Sequence, residues 1–385
     1  MSNMKWKKVI KKESIGSNGE THIIPRVFIA LCNIETDKYL ISPFSDYLNQ
    51  FMNNKTMSAN CAADAVVRFL NYIYYIKNKS VSDITIQDGI DYLNSLNVKK
   101  DTQYTYASYI SKFYYFLAEK GVLNYVSQDD FPCTFDKAGH KVLPGLFTGR
   151  FIESKKQDVE TIHDIKREYL PVFIETAMDV VPDIAFGVFL QCFGGLRKSE
   201  VISLEYKNIS IKTIGDLKTM QITLKDKDLR EDISTAFLAG CKRNRTQTVL
   251  PAFDNLLWKL YEKHKSRYQT KDCTAVFIDS NGRAMTDMVY YKRFCKLKAA
   301  FIKRLRESED YEAKSYAIYL DSFKWSTHIC RGIFSNLVAE STDNIMEIAT
   351  WRGDRNLSSA LSYLTDRKQT EEKVLCGLNE LYRGD

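Results

Sequence analysis

Residues 193–204 read FGGLRKSEVISL. Two glycines and an arginine close a mostly apolar run, and a glutamate follows three residues after the arginine. Cations favour a helix C-terminus, so Arg197 on its own reads as a surface charge at a helix end. The other reading is that it holds an anion, since the planar guanidinium fork matches phosphate and carboxylate oxygens. The local sequence leaves both open. The segments that bear on the choice lie downstream: CKRNRTQTVLP at 241–251, THICR at 327–331 and WRGDRNLSSALSYL at 351–364.

The chain has 385 residues, too many for one ordinary core, and two domains are expected. It is 44% hydrophobic and 27% charged, a composition that suits a globular protein rather than a disordered one. No apolar run reaches the length of a membrane span. The start, MSNMKWKKVIKKESIG, lacks the apolar centre of a signal peptide. Nine cysteines are scattered without a C-x-x-C pair, which suggests reduced thiols and a cytoplasmic protein rather than a zinc site or a disulfide framework. Lysine plus arginine exceed the acids by 55 − 48 = 7. This modest excess permits a nucleic-acid partner without requiring one. The basic residues cluster at 5–12, 241–245 and 290–306, and such clusters are more often solvated faces than binding sites.

Patterning divides the chain. Residues 1–38 form an N-terminal extension in which two β-prone runs flank GSNG, the pattern of a hairpin. Four helices with short joins are expected over 39–125. Ser42 caps the first ahead of Pro43, Thr85 caps the third, and the fourth runs from Asp101 as cap to Gly121 as stop. Residues 126–160 carry prolines and glycines without a sustained period and read as a linker. From 161 to 385 the patterning is mainly helical, with a β-like stretch at KTMQITLKDKD and CKRNRTQTVLP. The tyrosines of the bundle read as packing residues with hydroxyls at the rim. Lys112 and Thr105, with some of those hydroxyls, are candidate phosphate contacts.

Metal-free phosphodiester chemistry needs fixed cationic donors for the phosphate, a nucleophile opposite the leaving oxygen, and a general acid. Here no carboxylate cluster has metal-ligand spacing and no P-loop occurs, so neither a metal nor a cofactor is expected. Candidates for the metal-free scheme occur in order: Arg197, Lys242, His328, Arg331 and Tyr363. Each has an ordinary explanation. Arg197 suits a helix end, His328 suits a satisfied core histidine, and Tyr363 is one of 23 tyrosines. At x-x spacing His328 and Arg331 share one helix face, which a common phosphate requires. Lys225 and Lys227 compete with Lys242.

On these residues the sequence resembles the tyrosine recombinase (phage integrase) family. Gly195, Leu196, Arg197, Glu200, Val201 and Leu204 match its first box, G-L-R-x-x-E-hydrophobic-x-x-L. His328 and Arg331 match the H-x-x-R opening of the second, and Gly353 and Tyr363 its close. Lys242 fits the family lysine, which sits in a β-turn before an arginine-rich strand. The bundle is similar to the family's core-binding domain. Each box alone is weak evidence; their order and spacing together are strong.

The resemblance implies a mainly α fold: a helical core-binding domain, then an α-rich catalytic domain with a small antiparallel sheet. It implies site-specific cleavage and rejoining of duplex DNA through a 3′-phosphotyrosyl link, in the service of a mobile element. Arg197 and Arg331 hold the scissile phosphate, His328 assists Tyr363, Lys242 protonates the leaving 5′-oxygen, and Glu200 gives support. Arg243 and Arg245 are expected on the DNA backbone, and Lys292 and Arg293 lie on a helix expected to read DNA. The partners implied are duplex DNA with inverted-repeat core sites, a homo-tetramer joined through an amphipathic C-terminal tail, and accessory DNA-bending or directionality proteins, with no membrane. One position departs. Nine residues before Tyr363, where the family has histidine or tryptophan, stands Asp354, which when ionised cannot donate to a phosphate. Three explanations are open: Asp354 is protonated beside the phosphate, a neighbour supplies the donor (Trp351, one helical turn earlier, or Arg355), or the site is weakened; the neighbour is preferred. A type IB topoisomerase, or a DNA-binding regulator with weakened catalysis on this fold, remains open on sequence alone.

Overall fold

A computed structural model of the chain describes residues 3–17, 20–52, 56–131, 134–135, 141–142, 145–156, 161–214, 217–225, 227, 229–230, 232, 244–249, 251–253, 255–342 and 344–353. The chain divides into two units, Met1–Asp158 and Val159–Asp385.

The first unit opens with two long antiparallel strands, β1 (Met4–Ser17) and β2 (Glu20–Asn33), followed by the short β3 (Tyr39–Ile41). Four helices follow: α1 (Asp46–Met52), α2 (Thr56–Tyr75), α3 (Ile86–Ser95) and α4 (Lys100–Glu119). The Ser42 hydroxyl accepts from the Phe44 amide at the start of a short 3-10 turn that leads into α1. Thr85 and Asp88 form a reciprocal capping box on α3, satisfying two otherwise unpaired amides. The N-cap of α4 is Lys99, and the expected cap Asp101 lies in the first turn instead. There its charge still complements the helix dipole.

The N-terminal strands are not a loose extension. Asn71 on α2 accepts from the Trp6 amide at 3.0 Å and donates to the Trp6 carbonyl at 2.9 Å. Lys8 pairs with Asp64 of α2 at 2.8 Å, and the Trp6 ring meets Phe44. The stretch expected as a linker over 126–160 is also largely part of this unit. A small pair, β4 (Thr134–Phe135) and β5 (Lys141–Val142), lies within it. Leu146, Phe147 and Phe151 beyond them are buried. Phe147 meets Tyr114 edge-on and lies against Gly89, where any β-carbon would collide with its ring. Gln103 of α4, buried itself, donates to the Ile152 carbonyl and accepts from the Ser154 amide. Composition marks this segment as irregular, and irregular chain still docks when its few large apolar residues find a seat.

The second unit is built round α6 (Pro182–Gly194), in which every residue from Ile184 onward is buried. α5 (Leu170–Val180) precedes it and α7 (Lys198–Ile202) follows. A three-stranded antiparallel sheet comes next, in the order β6 (Ile209–Ile214), β7 (Leu217–Leu224), β8 (Arg245–Val249). The further α-helices among the described residues are α8 (Leu256–Tyr268), α9 (Asp287–Arg306), α10 (Tyr311–Ser322), α11 (His328–Ala339) and α12 (Ile345–Arg352). Aromatic rings from α5, α6 and α9 fill the core, among them Phe173, Phe186, Phe189, Phe294 and Phe301. The fold is mainly α with small antiparallel sheets.

Candidate active site

The stretch FGGLRKSEVISL spans the end of α6, a turn and α7. Gly195 takes the left-handed backbone, φ +63°, as the residue closing α6, a conformation that disfavours any side chain. A β-carbon there would also run into the Phe334 ring of α11. The turn reverses the chain so that Arg197 becomes the N-cap of α7 rather than a charge at the end of α6. Glu200, in the first turn of α7, reaches back. It accepts from the Arg197 amide at 2.8 Å and from Arg197 Nη1 at 2.9 Å.

α11 begins at His328, which puts Arg331 one turn in, on the side facing this turn. Arg331 is buried. Its Nη1 donates to the Gly195 carbonyl and its Nη2 to the Arg352 carbonyl at 2.8 Å. One guanidinium therefore joins the turn before Arg197 to the last residue of α12. Gly332 lets α11 come this close to the chain ahead of α5, because a β-carbon at that position would overlap the His163 carbonyl oxygen. His328 keeps an exposed face. Packing around its ring lowers its pKa, and the positive charges of Arg331, Arg197 and Lys198 push it the same way, as does His163. Both influences favour the neutral imidazole. The structure brings Arg197, Glu200, His328 and Arg331 into one cluster.

Arg245 stands elsewhere than expected. In place of a position on the surface toward a DNA backbone, it is nearly buried and grips Glu200 with both ends of its fork: Nη1 to Oε1 at 2.7 Å, Nη2 to Oε2 at 3.0 Å. Two residues along, on the same face of β8, Gln247 donates to the Trp351 carbonyl at 2.8 Å and accepts from Arg245 Nε at 3.2 Å. Burial works to raise the Glu200 carboxyl. The bonds and charge of Arg245, then those of Arg197, outweigh it and hold the group below the ordinary carboxylate range. Gly353 closes α12 with φ +64° directly against the Arg245 side chain, leaving no room for a β-carbon. Sequence reading missed Gln247, Gly332 and the partner of Arg245; the only signal was the period-2 spacing of 245 and 247 on one strand.

Other candidates fall where chemistry can be compared. Lys227, a rival to Lys242, is held at 3.0 Å by Glu205. That carboxyl is buried, which opposes ionisation, yet Thr274, Lys227 and Lys207 hold its pKa at about 2. Lys292 is exposed on α9, while Arg293 is paired with Asp183 of α6 at 2.7 Å. Lys112 is half-buried on α4, and the Thr105 hydroxyl bonds back to the Asp101 carbonyl. Trp351 is 39% exposed in the last turn of α12. Lys242, Arg243, Asp354, Arg355, Tyr363 and the C-terminal tail lie outside the described residues.

No family model matches the sequence, and no curated protein does either. Solved structures match over most of the chain. The XerH site-specific recombinase, bound to palindromic difH substrate in a post-cleavage complex, is 15% identical with a TM-score of 0.55 over 85% of this chain and 82% of that one. The Tn1549 transposon integrase in complex with circular intermediate DNA is 13% identical, with a TM-score of 0.56 over 83% and 94%. A lambda integrase dimer bound to a COC′ core site is 11% identical, with a TM-score of 0.50 over 88% and 93%. The chain has the tyrosine recombinase fold. Its structural neighbours are recombinases and integrases solved on DNA.

Proposed function

We propose that this protein is a site-specific DNA recombinase that cleaves and rejoins duplex DNA through Tyr363, in the service of a mobile element. The observation that carries the reading is the convergence of Arg197, His328 and Arg331, from two helices more than a hundred residues apart, on one cationic cluster backed by a buried glutamate. A fixed set of guanidinium donors suits the growing charge of a pentavalent phosphate.

In this reading Arg197 and Arg331 bind the two non-bridging oxygens of the scissile phosphate. The Tyr363 oxygen attacks phosphorus as the bond to the 5′-oxygen breaks. The phenol, with an ordinary pKa of about 10, gives its proton to neutral His328, and Lys242 protonates the 5′-oxygen. The phosphodiester energy is kept in the 3′-phosphotyrosyl link, so a 5′-hydroxyl from a partner strand reverses the step without ATP. Trp351 offers its indole N–H in place of the donor that Asp354 lacks. Four copies act together, each C-terminal tail docking on a neighbour, and binding weakens with salt because phosphate contacts dominate it.

The test uses nicked duplex oligonucleotides tiling the DNA that flanks the gene. Wild-type protein is expected to form an SDS-resistant protein–DNA adduct with one of them, and Tyr363→Phe none. An adduct that persists in Tyr363→Phe would sink the assignment of the nucleophile. No adduct on any duplex would sink the recombinase reading.

A further inference from the structure

A cleft opens between the end of α5, the start of α6 and α8. Its walls are apolar, formed by Met178, Ala185, Phe186 and Leu260. Counted with its solvent-open mouth it holds about 300 Å³, the lower end of the range for small-molecule sites. Its inner end admits only a water-sized group. α6 rises roughly 18 Å from Pro182 to Gly194, so this cleft is a separate place from the cluster around Arg197.

One polar atom in the cleft wall is unmatched. His264 lines the cleft and is 3% exposed. Its Nε2 donates to the Val276 carbonyl at 2.9 Å, which leaves Nδ1 as an acceptor. That atom is buried and has no hydrogen-bond partner among the described residues. A buried acceptor without a donor is costly, and the apolar walls have no donor to give.

The mouth carries charge. Lys263 and Arg267 stand there, one turn apart on α8, and both are exposed. Neither has an ion-pair partner among the described residues. The carboxylate of Asp183, which is near enough to act on His264, is already held by Arg293 at 2.7 Å.

We propose that this cleft binds a small organic anion that bears a hydroxyl group. The hydroxyl donates to His264 Nδ1, the apolar body lies on Phe186 and Leu260, and the anionic end meets Lys263 and Arg267. The acceptor fixes the orientation, because an ionised carboxylate has no proton to offer Nδ1 and is left to the cations at the mouth. The proposal does not depend on recombinase activity.

The test uses the full chain with 4-hydroxyphenylacetate as the probe. Phenylacetate lacks the hydroxyl, and 4-hydroxyphenethyl alcohol lacks the charge. Titrations at pH 7.5 are followed by NMR of 15N-labelled histidine, which reports on His264 Nδ1 directly. Saturable binding is expected for the hydroxy acid, with the Nδ1 resonance moving upfield as it accepts a hydrogen bond. Phenylacetate should bind about tenfold more weakly, since it leaves the buried acceptor unpaired. The alcohol should bind about threefold more weakly, since exposed charges contribute little. Lys263→Gln with Arg267→Gln, both at surface positions, should abolish the preference for the acid over the alcohol. His264→Phe should abolish the preference for the hydroxy acid over phenylacetate. Equal affinity of wild type for those two acids would overturn the proposal. So would an unmoved Nδ1 resonance or the lack of any saturable binding, either of which would mean that the cleft holds water only. If His264→Phe does not fold, the wild-type comparison of the three probes decides.

Discussion

His264 shows how far a single side chain can be read from its surroundings. It is buried on α8, packed between the rings of Phe186, Tyr268 and Phe277, with Nε2 at 2.9 Å from the Val276 carbonyl. A carbonyl only accepts, so Nε2 carries a proton, and the ring becomes charged only when Nδ1 takes up a second proton. Burial, the chief influence, lowers its pKa. As pH falls through the ordinary value of about 6.5 the unfolded chain takes up this proton before the folded one, so stability is lost toward acid. Urea unfolding midpoints at pH 7.5 and 5.5 should differ less in His264→Gln, whose amide can still donate to Val276, than in wild type; equal differences would refute this. The same scale shows what the sequence yields and what it withholds. Arg197 with Glu200, and His328 with Arg331, are legible because each pair is separated by a single helical turn. Arg245 is misread because in sequence it belongs to the basic run CKRNR, while its partner Glu200 is 45 residues away. A charge next to like charges looks solvated until the fold supplies its counter-ion.

Among the elements, α11 carries the most consequence per residue, since His328 and Arg331 both stand on it. Its seat depends on Gly332, which lies against the His163 carbonyl oxygen. Backbone cannot swing aside as a side chain does, so Gly332→Ala must push α11 away from the chain before α5. We expect a loss of about 1–3 kcal/mol, the usual cost of overpacking, measurable by urea unfolding. A larger proportional loss of cleavage should accompany it, because Arg331 moves with the helix. Retained stability would show that the contact relaxes easily. Helices of this unit are legible from their apolar spacing and caps. The distance of closest approach between two segments is not, because a glycine required by a neighbour looks the same in sequence as one tolerated in a helix. The N-terminal strands show a related gap. Their β-prone runs and the GSNG turn are visible, but the docking of β1 on α2 hangs on Asn71, a polar residue in an apolar helix that reads as ordinary surface until the Trp6 backbone is beside it.

For the molecule as a whole, the division at Asp158 and Val159 separates two accounts of the middle of the chain. Composition places the end of the first domain near residue 125 and makes residues 126–160 a connector. Packing instead assigns most of that stretch to the bundle. Val126, Phe131, Leu146, Phe147 and Phe151 are all buried, and full burial of a large apolar side chain contributes about 1.5–3 kcal/mol. Polar accounting agrees, because Gln103 lies inside the unit and takes two of its partners, Ile152 and Ser154, from this stretch. A polypeptide of residues 1–158 should therefore fold with a cooperative urea transition. One of residues 1–125 should be several kcal/mol less stable, with the seat of Phe147 beside Gly89 and Tyr114 open to water. Phe147→Ala in the longer polypeptide should lose about 3–5 kcal/mol, the range for an aromatic residue removed from a core. Equal midpoints for the two lengths would return the segment to the status of a connector, and a small effect of Phe147→Ala would show that its neighbours close over the gap.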